Sequence, residues 1–193
     1  DFYRLSRTLS DEERGVRDTV AAFVDRSFLP DIRRHFRDGT FPLDLIPELG
    51  AMGLLGSAVR GPGCPGLSYT LYGLICQELE RGDSGLRSFA SVQGSLVMWP
   101  ISAYGTDEQK KQYLPRCAKG AISAFALTEP HAGSDARAIK TSAVRENGQW
   151  VLNGVKQFIS YADMADFVIL FAVTGVDESP KGPRKPRDRR RDG

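Results

Sequence analysis

Metal ligands and redox pairs are scarce in this chain. It has two histidines, His35 and His131, too few for a His-rich metal site. Its three cysteines, Cys64, Cys76 and Cys117, are far apart and odd in number. They form neither a disulfide framework nor a metal-ligand spacing, and fit a reducing compartment. No apolar run is long enough to span a membrane, and no signal peptide opens the sequence. The first residue is Asp1 rather than Met, which leaves room for a removed leader. A net charge of +2 points to no special partner, and it hides an asymmetry. Residues 177–193 hold seven Lys/Arg and four Asp/Glu, so the remainder carries −1. A nucleic-acid reading would rest on that tail alone. The hydrophobic fraction of 41% is enough to build a core in one large or two small domains.

What is present divides by periodicity. Ser10-Asp11-Glu12-Glu13 is a capping box that opens a helix with Val16, Val20, Phe23 and Val24 at helical spacing, ended by Pro30. Pro42 starts a second helix carrying Leu45, Ile46 and Leu49 on one face. Gly61-Pro62-Gly63-Cys64-Pro65-Gly66 matches a dinucleotide-loop spacing, but its prolines remove N–H donors and helices follow it, so it reads as a loop between helices. Leu67 to Arg81 reads as a helix, with Leu71, Leu74, Ile75 and Leu79 inward and Glu78, Glu80 and Arg81 outward. Asp83 caps the next helix, which is rich in Ser and Gly. On it Arg87 and Ser91 share a face with Ser88 beside them. A cation with hydroxyls could grip a carboxylate or phosphate, or could be a surface arginine beside small packing residues. Thr106-x-x-Gln109 is another capping box, whose helix runs to Cys117 and Ala118, with Pro115 expected to end regular hydrogen bonding earlier.

From Ala121 the period changes to that of strands. Ile122–Leu127 and Thr141–Arg145 read as strands, with Asn147-Gly148 turning the second into Gln149–Leu152. Asn153-Gly154 turns again into Val155–Ser160, and Phe167–Val173 is a strongly apolar strand. Between them, Thr128-Glu129-Pro130-His131-Ala132-Gly133-Ser134-Asp135 follows the first strand. Pro130 stops the ladder, Gly133 permits a close approach, and Thr128 and Ser134 offer hydroxyls beside free backbone N–H groups. Local chemistry alone favours an ordinary polar turn over a ligand loop.

The joint pattern is more specific. Leu127-Thr128-Glu129-Pro130 with Gly133-Ser134-Asp135 resembles the flavin-loop signature of acyl-CoA dehydrogenases, and Phe158-Ile159-Ser160 resembles that family's second flavin motif. The similarity runs from about Leu9 to Val173. Glu78-Leu79-Glu80-Arg81, Asp83 to Ser88 and Ser91 to Met98 look most like the glutaryl-CoA dehydrogenase branch. The resemblance implies an α+β protein. An all-α helical domain (1–120) precedes a truncated, β-barrel-like middle domain (121–176) and a disordered basic tail (177–193), and the C-terminal helical bundle is absent. It also implies an FAD enzyme that performs α,β-dehydrogenation of a short acyl-CoA, glutaryl-CoA with decarboxylation to a crotonyl thioester being favoured. Phe125, Leu127, Thr128, Gly133, Ser134, Phe158, Ile159 and Ser160 would hold the cofactor. Arg87, Ser88, Ser91 and Ser134 would bind substrate.

Electron-transferring flavoprotein would be the redox partner and a homotetramer the intact assembly, with no nucleic acid, membrane or metal involved. The compartment would be the cytoplasm in a bacterium or the mitochondrial matrix in a eukaryote. This sequence has Phe158 where the family usually has Trp, Ser160 where it has Thr, and Tyr161-Ala162 for the more common Asn-Gly. The family's catalytic Glu lies on the C-terminal domain, so no catalytic residue is assigned here, and Glu129 belongs to the flavin loop. The alternative is a non-catalytic truncated product that at most binds flavin, acyl-CoA or a full-length partner.

Overall fold

The computed structural model describes residues 4–174. They fall into two compact units, one running to Phe125 and including Ser160–Ile169, the other comprising Ala126–Ile159 and the chain from Leu170. The basic tail at 177–193 lies outside the described residues.

The first unit is helical. Helix α1 (Asp11–Phe23) begins with the expected box: Ser10 Oγ accepts from Glu13 N, and Glu13 Oε2 accepts from Ser10 N. Two of the helix's orphan N–H groups are thereby satisfied. A π-helical turn, Val24–Phe28, extends it before Pro30. Helix α2 (Ile32–Asp38) buries no residue, which is why no apolar period marks it in the sequence. Helix α3 (Ile46–Ala51) follows a short 3₁₀ turn after Pro42. Helix α4 (Tyr69–Gly82) is capped by Ser68 and buries Leu71, Ile75 and Leu79. Each such side chain contributes about 1.5–3 kcal/mol relative to exposure.

Helix α5 (Ser84–Ser91) is capped by Asp83 and runs without a break through a π-helical segment, Val92–Met98, into α6 (Trp99–Tyr104). Helix α7 (Asp107–Ala118) has the Thr106–Gln109 capping box. It runs to Ala118 as expected, and it does so with Pro115 inside the helix. Glu78 is a correction. It is buried rather than outward, and accepts from Arg81 Nε at 2.7 Å, which compensates its desolvation. One buried cluster joins Val20, Phe23, Leu49, Ile75, Leu79, Leu86 and Phe89; another joins Val59, Val97, Met98, Leu114 and Cys117.

Strand β1 (Ser123–Ala126) pairs with β4 (Phe167–Leu170). Its start is pinned by Gln93, fully buried in the π-helical segment. Gln93 Nε2 donates to Ser123 O at 3.0 Å, and its Oε1 accepts from Ser123 N at 3.0 Å and Ser123 Oγ at 2.6 Å.

In the second unit, β2 (Ser142–Glu146) pairs antiparallel with β3 (Gln149–Asn153) and parallel with β5 (Val173–Thr174), giving the order β3–β2–β5. The expected turn residues Asn147 and Gly148 both take positive φ, 51° and 79°, as a two-residue hairpin turn requires. The apolar run 167–173 is divided between β4 and β5 rather than forming one strand. Residues 155–160 carry no ladder and are irregular.

Candidate functional site

In the second unit the site is built on a tight turn. Glu129 and Ala132 exchange both backbone hydrogen bonds at 3.0 Å, with Pro130 and His131 at the corner. Proline's fixed φ suits that position. The turn leaves Gly133, Ser134 and Asp135 exposed, and a Cβ added at Gly133 would meet nothing within 4 Å. Asp135 caps the short turn that follows, accepting from Arg137 N at 3.3 Å.

The Glu129 side chain points inward, and its residue is buried. It accepts from Lys140 N at 2.6 Å, Thr141 N at 2.9 Å and Lys156 Nζ at 2.8 Å, with His131 Nε2 at 3.4 Å. Burial alone would raise the pKa of this carboxyl. The hydrogen bonds from Lys156, Thr141 and the Lys140 amide outweigh that and hold it far below the ordinary carboxylate range. Glu129 is therefore an ionised staple of the loop.

Lys156 also donates to Leu127 O at 2.9 Å, and Gln157 N donates to Thr128 O at 2.9 Å. The two stretches singled out from the sequence, Leu127-Thr128 and the residues entering Phe158-Ile159, are thus tied side by side. Phe158 follows in a left-handed conformation, φ 57°, and the residue is 84% exposed. An L-residue held there costs about 1–2 kcal/mol. Strain that displays an aromatic ring to solvent is a feature of ligand-binding positions. Thr128 and Ile159 are half-buried.

The remaining sequence-predicted residues lie in the first unit. Phe125 packs partly against the second buried cluster, and Ser160 is exposed. Tyr161, also at positive φ (64°), packs edge-on against Phe89 at 5.2 Å and Phe41 at 6.1 Å. On α5, Arg87 Nη1 donates to Ser91 Oγ at 3.2 Å, and Ser91 Oγ donates to Ser88 O at 3.1 Å, so the shared face is present. The cation is not alone there. Arg87 Nε donates to Glu80 Oε2 at 2.6 Å, and Ser84 Oγ donates to Glu80 Oε1 at 2.6 Å. The hydrogen bonds from Arg87 and then Ser84 lower the Glu80 pKa, while Glu80 raises that of Arg87. Glu80 fixes one edge of the guanidinium and leaves further N–H donors for a ligand.

Sequence reasoning missed Lys156, Glu80 and Gln93 as parts of this architecture. The Glu129–Lys156 and Gln93–Ser123 contacts join residues 27 and 30 positions apart, with no local period to signal them. Glu80 could have been found, since its helical face ends beside the cap of the next helix.

Comparison with known proteins converges on one family. The N-terminal domain model of acyl-CoA dehydrogenases matches residues 10–121, and the middle domain model matches 124–186, past the Val173 limit read from the sequence. An acyl-CoA dehydrogenase of Bacillus subtilis (strain 168) is 36% identical over 90% of this chain and 46% of its own length. The mitochondrial short-chain specific acyl-CoA dehydrogenase of Rattus norvegicus is 32% identical over 90% of this chain and 43% of its own. The crystal structure of a glutaryl-CoA dehydrogenase from Mycobacterium smegmatis, in complex with FADH2, superposes with a TM-score of 0.86 at 44% identity. That match covers 90% of this chain and 45% of the other. The chain thus spans about half the length of the relatives it matches.

Proposed function

Because this chain belongs to the acyl-CoA dehydrogenase family, we propose that it forms the FAD-binding and acyl-binding part of an enzyme that oxidises a short acyl-CoA thioester between its α and β carbons. The observation that carries this reading is the pairing of the Leu127-Thr128 segment with the strained, exposed Phe158 through Lys156 and Gln157. These residues fit FAD. An open loop at Gly133-Ser134 offers backbone N–H groups and a hydroxyl to a polar edge, and Phe158 offers a flat face to a ring system. When bound, the flavin supplies a two-electron acceptor for hydride.

The chain's own residues bind and orient. Thr128 and Ser160 supply hydroxyls to the polar edge of the cofactor, and Phe125, Leu127 and Ile159 supply apolar walls. Ser134 contacts both cofactor and CoA ester. Donors fixed in advance are effective because they need no reorganisation as negative charge develops. Glu129 is committed to Lys156 and two backbone amides, which supports assigning it to loop positioning and not to removal of the α proton. Arg87, steadied by Glu80, with Ser88 and Ser91 beside it, receives the distal carboxylate of a dicarboxylic thioester such as glutaryl-CoA. Decarboxylation to a crotonyl thioester would follow oxidation. Electron-transferring flavoprotein is the proposed acceptor of the electrons, and a homotetramer the proposed assembly.

Titrating the FAD-loaded chain with glutaryl-CoA and butyryl-CoA tests this. Arg87→Ala should weaken glutaryl-CoA about tenfold or more, the worth of a charge-assisted hydrogen bond, and leave butyryl-CoA nearly unchanged. Equal losses for both would remove the case for carboxylate recognition. Binding without turnover would restrict this chain to a binding role.

A further inference from the structure

The Glu129–Ala132 turn carries one titratable group that the Lys156 clamp does not need. His131 stands at its corner, with Nε2 3.4 Å from Glu129 Oε2. The carboxylate it approaches is already served. Glu129 Oε1 accepts from Lys156 Nζ at 2.8 Å and from Thr141 N at 2.9 Å, and Oε2 accepts from Lys140 N at 2.6 Å. The side chains of Glu129 and Lys156 are 1% and 10% exposed, so that pair is closed to solvent and neutralises itself. The His131 side chain is 42% exposed. Its contact is longer than an ordinary N–H···O hydrogen bond, so the carboxylate steers the imidazole without locking it. A proton taken up by His131 therefore adds a net positive charge at the turn.

The place of that charge is what matters. Ala132 is buried and is bonded to Glu129 through both its backbone groups, which anchors the corner. Gly133 and Ser134 follow at once in the open, with free space around Gly133. His131 and Ser134 are three positions apart, so their Cα atoms lie within about 11 Å even in a fully extended chain. The other charged groups of the loop and of the chain packed on it are Glu129, Asp135, Arg137, Lys140 and Lys156. Imidazole is the one side-chain type among them whose ordinary titration falls between about pH 5 and 8. The loop that offers N–H donors and a hydroxyl to an anion thus has beside it a cation that comes and goes near neutrality.

We propose that His131 is a further ligand-binding residue of this loop: its protonated imidazole, steered by Glu129, completes a site for the diphosphate of a nucleotide ligand beside Gly133 and Ser134. The inference rests on the flavin and acyl-CoA reading above, in which FAD and the CoA thioester each bring such a diphosphate. Binding and protonation help each other. A diphosphate held more tightly by the charged form draws a proton onto His131, so affinity rises as pH falls through the imidazole range. The proton comes from solvent, and no covalent bond is made or broken. Glu129, held ionised by its own hydrogen bonds, keeps its charge throughout that range.

The test measures binding of FAD, riboflavin and dephospho-CoA at about pH 8 and about pH 5.5, on either side of the imidazole range, for wild type, His131→Asn and His131→Lys. Wild type should bind FAD roughly tenfold more tightly at the lower pH, the effect of one added charge near a phosphate at a partly exposed site. Riboflavin, which has no diphosphate, should show no such change. His131→Asn should keep the weaker FAD affinity at both pH values, and His131→Lys, permanently charged, the tighter one at both. Dephospho-CoA identifies the source of the diphosphate: a pH response for FAD alone assigns the site to the cofactor, and one for dephospho-CoA alone assigns it to the thioester. Heating the unliganded chain separates a structural role, which would shift the unfolding midpoint with pH while wild type and His131→Asn kept the same ratio of FAD affinities. That equal ratio, or a riboflavin response as large as that of FAD, would overturn the proposal and leave the flavin reading intact. A folded wild type that binds FAD at neither pH would overturn both.

Discussion

Replacing Gln93 by Leu should destabilise this protein severely, although Gln93 touches no proposed ligand. Its amide makes three hydrogen bonds, all to Ser123, in a fully buried position. Leucine has nearly the same volume and none of the polar atoms. Three net hydrogen bonds at about 1 kcal/mol each are lost, and the Ser123 N–H, C=O and hydroxyl are left unsatisfied. Part of the unsatisfied cost is recovered by apolar contact and by water entering at the start of β1. The expected loss is about 4 kcal/mol, a large share of the ~5–15 kcal/mol of a typical domain. For a chain of this size that is a fall of roughly 8–16 °C in midpoint.

Circular dichroism at 222 nm during heating and in urea measures both quantities. Ser123→Ala removes only the hydroxyl and should cost about 1 kcal/mol. The double variant should lose less than the sum of the two, since the partners share one network. A Gln93→Leu protein within 1 kcal/mol of wild type would refute the pin as an energetic element.

The Glu129–Lys156 clamp predicts a pH dependence. The folded carboxyl lies far below its ordinary value of about 4.3, so its stabilisation is fully present above that value and is lost progressively as pH falls below it toward the folded one. Denaturation followed from pH 7 to pH 3 should show this loss, and Glu129→Gln should flatten the slope; an unchanged slope would contradict the clamp. Lys156→Met should lower stability at neutral pH by leaving the buried carboxylate without its charged partner, and Lys156→Arg should restore part of it. Burial pushes the Cys117 thiol up to about 11. At pH 8, alkylation read by mass spectrometry should therefore modify half-buried Cys64 and Cys76 first, with Cys117 reacting only after unfolding.

Local signals and long-range contacts contributed differently to what the sequence made legible. Caps are local, so Ser10, Asp83 and Thr106 marked three helix starts that the structure contains. The change from helical to alternating period near Ala121 located the strands, and Asn147-Gly148 located their turn. Helix α2 escaped because it has no buried face. The end of α7 at Ala118 was legible despite Pro115, since a single proline can be accommodated inside a helix packed through Leu114, Cys117 and Ala118. At the site, the shared face of Arg87 and Ser91 followed from helical geometry alone. The ionic partners did not: Lys156 reaches Glu129 only through the return of the chain after β3, a contact set by tertiary packing.

The central claim is that the Thr128–Ser134 loop and Phe158 together hold a flavin. Titration of the 193-residue chain with FAD, followed by flavin fluorescence and visible circular dichroism, tests it most directly. The account predicts saturable one-to-one binding with an induced dichroic signal, weakened about tenfold in Phe158→Ala through loss of the ring face. A folded wild-type chain that shows no saturable flavin binding, or one whose affinity is the same with and without the Phe158 ring, would contradict it.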